Sequence, residues 1–149
     1  MAETLGSLCD KLTVVKLKQW HSEDAERQKS LAEQEVQLRN EIDEFIGQAV
    51  AGKIPAERLT FASNKVYRKE GNVVEDVQGS VGAVFAQLAV VNCDLWHEQE
   101  KVYEFEKVPA GEKDKVVKKL ALLNLERTKC IDQIDKQFRK VIERSSGCE

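Results

Sequence analysis

Apolar residues recur every three or four positions through most of the chain, the spacing that lines one face of an α-helix. Leu5, Leu8 and Leu12 fall on one stripe, continued by the polar Lys16 and Gln19 and bordered by Trp20. In a second segment Leu31, Leu38, Ile42 and Phe45 share a face. Val84, Leu88, Asn92, Leu95, Trp96 and Gln99 form the stripe of a third, and Leu120, Leu123, Ile131, Ile134, Phe138 and Val141 that of a fourth. Four long helices are predicted.

Breaks fall between these segments. Gly52 reads as a helix C-cap, and Pro55 opens a short helix through Phe61. Gly71-Asn72 reads as a turn, as do Pro109 and Gly111. Between the first two segments a turn falls within "SEDAERQKS", with Ser30 as the cap, unless the helix runs on and bends there. The tail "RSSGCE" is expected to fray.

The phrase "VVNCDLWHEQE" echoes "VVKLKQWHSED". A shift of 76 positions lays Leu12 on Leu88, Val14 on Val90, Val15 on Val91, Trp20 on Trp96 and His21 on His97, pairing the chain's only tryptophans and histidines. We read this as an internal duplication. The expected fold is all-α: a four-helix bundle built from two αα-hairpin repeats with a long irregular central connection. Residues 1–149 form one domain, with repeat one at about 5–50, the connection at about 51–79 and repeat two at about 80–146.

Composition narrows the function classes. With 33% charged and 42% hydrophobic residues the chain suits a folded domain. A net charge of −3 lacks the basic footprint of a nucleic-acid binder. The apolar runs are too short to span a bilayer, and the opening residues lack a signal-peptide pattern, so a cytoplasmic protein away from membranes is expected. Cys9, Cys93, Cys130 and Cys148 include no CxxC pair.

The inward stripes carry polar residues that must find partners. Asn92, Asn124, Arg127 and Asp135 are expected to meet inside the bundle near Trp96, fixing helix register or lining a pocket for a small polar ligand. Lys16 occupies the position equivalent to Asn92. Trp20 and Trp96 are expected to fill the core as packing anchors, with His21 and His97 on a second face shared with Val14 and Val90. That second face favours a homo-oligomer or a partner protein. His21 with Asp24, and His97 with Glu100, have the spacing of paired metal ligands. A bundle metal site also needs carboxylates aimed inward, and only Glu35 offers one, so no metal or cofactor is expected.

The opening string resembles the motif of a bacterial family known as domain of unknown function 4254, through Gly6, Ser7, Asp10, Lys11, Leu12, Thr13, Val14, Trp20, His21, Glu23 and Asp24. "VVNCDLWH" and "LNLERTKCIDQID" are similar to its later part. The resemblance implies a small helical protein and no activity. The sequence therefore favours a protein that acts by binding: to itself, to a partner protein or to a small polar ligand. The competing reading is an enzyme acting on a phosphorylated or sugar-like substrate through the Trp-His segments. No nucleophile with an oxyanion hole supports that reading.

Overall fold

The computed structural model describes residues 3–61 and 77–146. Helix α1 (Leu5–His21) begins at a reciprocal cap. The Ser7 N–H donates to the Thr4 hydroxyl (3.3 Å) while the Thr4 N–H donates to the Ser7 hydroxyl (2.9 Å). Helix α2 (Ala25–Val50) starts on Asp24, whose carboxylate accepts from the Glu26 N–H at 3.1 Å. The break thus falls at residues 22–24. Ser30, the expected cap, lies inside α2, because Asp24 both satisfies an open N–H and places negative charge at the positive helix end. The Gln28 amide ties the turn by donating to the Gln19 and Ser22 carbonyls.

Helix α2 closes on Gly52, whose φ of +73° favours a residue without Cβ. Gly52 N–H donates to Ala49 O and Lys53 N–H to Gln48 O, satisfying two of the last carbonyls. After Pro55 only a single 3-10 turn forms (Ala56–Arg58), shorter than the helix expected there. The Gly71-Asn72 turn lies outside the described residues.

Helix α3 (Val81–Tyr103) is capped by Ser80, and two 3-10 turns about Pro109 lead into α4 (Lys113–Ser146). Helix α4 continues through Arg144, Ser145 and Ser146, so this part of the tail is helical rather than frayed.

The fold is an all-α four-helix bundle, with no strand among the described residues. Helices α1 and α2 form one antiparallel hairpin, joined across the gap by Gln19 and Glu35. Helices α3 and α4 form the other, with Gln87 meeting Glu126 near one end and Glu98 meeting Lys119 near the other. Helix α1 packs against α2, α3 and α4, whereas α2 reaches α4 through contacts such as Phe45 on Phe138 (6.1 Å between centroids).

The core gathers Leu5, Cys9, Ala49, Leu59, Val84, Leu88, Val91, Leu123, Cys130, Ile134 and Phe138. Val141, expected on the same face, is exposed. The inner ridge of α4 steps from Ile134 to Phe138 to Ile142, which leaves Val141 on the next row outward. Among the described residues, no helix is long and apolar enough to cross a membrane.

The N-caps Thr4 and Ser80 stand at the same 76-residue separation as the repeated phrase, and Leu8/Val84 and Val15/Val91 are buried in both halves. The tryptophans depart from this correspondence. Trp20 is 85% exposed, against the expectation that the two halves bury both indoles together. Helix α1 ends one residue after Trp20, so no neighbouring turn covers it, whereas α3 runs seven residues past Trp96.

Candidate functional site

A carboxylate lies at the centre of the α1–α3–α4 contact. Asp10 is 4% exposed. Arg127 of α4 grips it from one edge of the guanidinium, Nε to Oδ1 at 2.8 Å and Nη2 to Oδ2 at 2.6 Å, and Asn92 of α3 donates to Oδ1 at 3.0 Å. Bidentate geometry is the strongest form of this pairing. Both carboxylate oxygens are bonded, so the desolvation of Asp10 is offset. The same hydrogen bonds to Asp10 push the Arg127 guanidinium still further toward its charged form, against partial burial.

The expected polar cluster is therefore realised only in part. Asn92 and Arg127 do come together, but around Asp10. Asn124 is exposed and donates to Leu120 O of its own helix at 3.2 Å. Asp135 is buried two turns along α4, in a different contact. Lys16 does not mirror Asn92; its side chain is 58% exposed and pairs with Glu35 at 3.3 Å. That pairing also accounts for Glu35, which accepts from Gln19 as well.

Asp135 faces the start of α1. Its Oδ1 accepts from the Gly6 N–H at 2.7 Å, and the Thr4 hydroxyl also bonds to it. The helices touch closely here: a Cβ on Gly6 would stand 2.4 Å from Ile131 O. Burial pushes the Asp135 carboxyl up to about 6, and nearby Asp132 adds to the rise. The bonds from Gly6 and Thr4 oppose it. Gly6 and Asp10 both meet α4, Gly6 by its close approach to Ile131 and Asp10 by its bonds to Arg127.

Outward from Asp10 a cleft of about 360 Å³ opens, walled by Lys11, Val14, Val15 and Lys18 of α1, by Gln34, Gln37, Leu38 and Glu41 of α2, and by Arg127. Arg127 keeps 36% of its side chain exposed. Asp10 fixes one edge of the guanidinium, so the group is presented to the cleft in a set orientation. A neighbouring cleft of about 290 Å³ shares Glu41 and runs toward Phe45, Ile54 and Phe61.

The two Trp-His segments meet on the surface, at the end of α1. His21 stacks on Trp96 with centroids 4.5 Å apart and planes 20° apart, and approaches His97 edge-on at 6.4 Å. Trp96 is half-buried and its Nε1–H donates to Glu100 at 2.8 Å. His21 Nδ1 lies 2.8 Å from Leu17 O, and a carbonyl only accepts, so Nδ1 carries the proton. Asp24 is occupied in capping α2. None of the four aromatic residues lines the Arg127 cleft. Among the described residues, no three His, Cys, Asp or Glu side chains are placed to hold a metal ion.

Periodicity does not single out Asp10, which stands off the Leu5–Leu8–Leu12 stripe, on the second face of α1 that carries Val14 and His21. Glu98, seven residues after the buried Val91, is itself buried, and Lys101 and Lys119 converge on it at 3.0 and 3.1 Å. Burial alone would raise that carboxyl, but the two lysine hydrogen bonds outweigh it and hold the group below the usual carboxylate range. Compared with protein-family models, with curated proteins and with solved structures, the chain finds no match.

Proposed function

We propose that this protein acts by binding, and that the cleft beside Arg127 takes a small polar ligand bearing a carboxylate or phosphate. One observation carries the reading: a guanidinium locked by a buried carboxylate forms part of the wall of an open cleft of ligand size, about 360 Å³. Lys18 adds positive charge on the same wall, while Gln34, Gln37 and Glu41 offer amide and carboxylate groups to a hydroxyl or amine elsewhere on the ligand. Arginine held this way loses little side-chain entropy on binding an oxyanion.

Titration calorimetry with inorganic phosphate and with small dicarboxylates tests the reading. Binding that is lost in Lys18→Ala, whose side chain takes no part in the Asp10 cluster, supports it. Absence of heat with every anion at millimolar concentration contradicts it.

Self-association is a second reading, favoured by the outer face of α3. No charged residue occurs from Val81 to Cys93, and Ala83, Ala86 and Val90 on that helix are exposed.

A further inference from the structure

Cys93, His97 and Glu100 stand in series along one face of α3, at spacings of one turn each. Cys93 Sγ lies 3.7 Å from His97 Nε2, and His97 Nδ1 lies 4.0 Å from Glu100 Oε2. Glu100 is itself held through its other oxygen by the Trp96 indole. This is the order nucleophile, base, orienting carboxylate that activates a thiol. His21 from α1 flanks His97, and the Cys93 side chain is partly open to solvent. Cys9 and Cys130 offer no competition, because burial pushes both thiols up to about 11.

We propose that Cys93 is a nucleophilic thiol site that reacts with small disulfides, with His97 as its general base and Glu100 as a positioning residue. Glu100 stands 4.0 Å from Nδ1, beyond hydrogen-bond length, and its charge favours the tautomer with the proton on Nδ1, which leaves Nε2 free to accept from the thiol. As Sγ attacks one sulfur of the disulfide, a new S–S bond to Cys93 forms and the old S–S bond breaks. The thiol proton passes to His97 Nε2 and then to the departing thiolate. Cys93 is oxidised to a mixed disulfide, and the reagent is reduced to one released thiol. The bulky group so attached would sit beside His97, next to the His21–Trp96 stack that ties α1 to α3. The site is separate from the Arg127 cleft and does not depend on ligand binding there.

The test is the rate of modification at each cysteine by hydroxyethyl disulfide, a neutral probe, followed on the full chain by mass spectrometry with peptide mapping at a concentration where sedimentation shows monomer, because Cys93 and His97 continue the Ala83–Ala86–Val90 face of α3 that a dimer would cover. At about pH 7 the Cys93 rate is expected to fall about tenfold in His97→Ala, about an order of magnitude less than the usual range of general-base assistance because the pair sits at the surface. A smaller drop is expected in Glu100→Gln, with partial recovery in Glu100→Asp. At about pH 10, where thiols ionise unaided, the rates should converge. Cys9 and Cys130 report the fold: if either becomes modified in His97→Ala, Glu100→Gln alone decides. Equal Cys93 rates in the wild type and the deciding variant at about pH 7, or an unchanged ratio at about pH 10, would overturn the proposal.

Discussion

Arg127 and Asp10 lie 117 residues apart in sequence and meet through two parallel hydrogen bonds of 2.8 and 2.6 Å. The two partners are unequally buried, with side-chain exposures of 36% and 6%, so removing one is not equivalent to removing the other. Arg127→Ala leaves a charged carboxylate inside the bundle and is expected to cost about 4 kcal/mol. Asp10→Ala leaves a guanidinium that can turn to water, and is expected to cost about 2 kcal/mol. Urea unfolding of the two variants checks the order; a larger loss in Asp10→Ala would contradict it.

Gly6 and Gly47 offer a matched contrast. Both are helical, but a Cβ at Gly6 meets the Ile131 carbonyl whereas a Cβ at Gly47 meets nothing within 4 Å. Gly6→Ala must push α1 away from α4 and is expected to destabilise by about 3 kcal/mol. Gly47→Ala is expected to stabilise by about 0.5 kcal/mol through helix propensity. Thermal unfolding should separate the two in sign.

Asp135 makes stability depend on pH in a set direction. An aspartate in an unfolded chain titrates near 4, and in this fold Asp135 titrates at about 6. The fold holds this proton more tightly, so its contribution is fullest below about pH 4 and is lost as pH rises through about 6, a change of about 3 kcal/mol. Asp135→Asn keeps an acceptor for the Gly6 N–H and removes the titration. The stability of the variant relative to the wild type should therefore rise between about pH 4 and 7. A flat difference would contradict the assignment.

The outer face of α3 gives a prediction for association. Sedimentation at micromolar concentration is expected to show a dimer, and Val90→Asp, which places charge on an exposed apolar position, is expected to shift it toward monomer. Identical behaviour of the two proteins would remove α3 as the interface.

Helix boundaries were legible wherever a local signal marked them. Gly52 and Pro109 punctuate the chain as their backbone chemistry requires, and Thr4 and Ser80 cap two helices at the separation of the repeated phrase. The first turn falls within the segment expected for it, but its cap is Asp24 rather than Ser30; both are good caps, and sequence cannot rank them without knowing where α1 ends. Side-chain partners were less legible. Helix α1 contacts α2, α3 and α4, so its second face, which carries Val14, also holds the buried Asp10, while Trp20, expected in the core from its place beside the first stripe, is exposed. Asn92 and Arg127 were recognisable as polar residues on apolar stripes, but their common partner lies on another helix, beyond the reach of periodicity.

The central claim, that the Arg127 cleft is a binding site, is most directly tested at Arg127 itself. The Nε–H resonance of Arg127 can be followed by nitrogen-edited NMR during a phosphate titration. The account predicts a saturable shift of this resonance that disappears in Lys18→Ala while the Asp10 bonds persist. A resonance that stays fixed while phosphate perturbs other parts of the surface would contradict it.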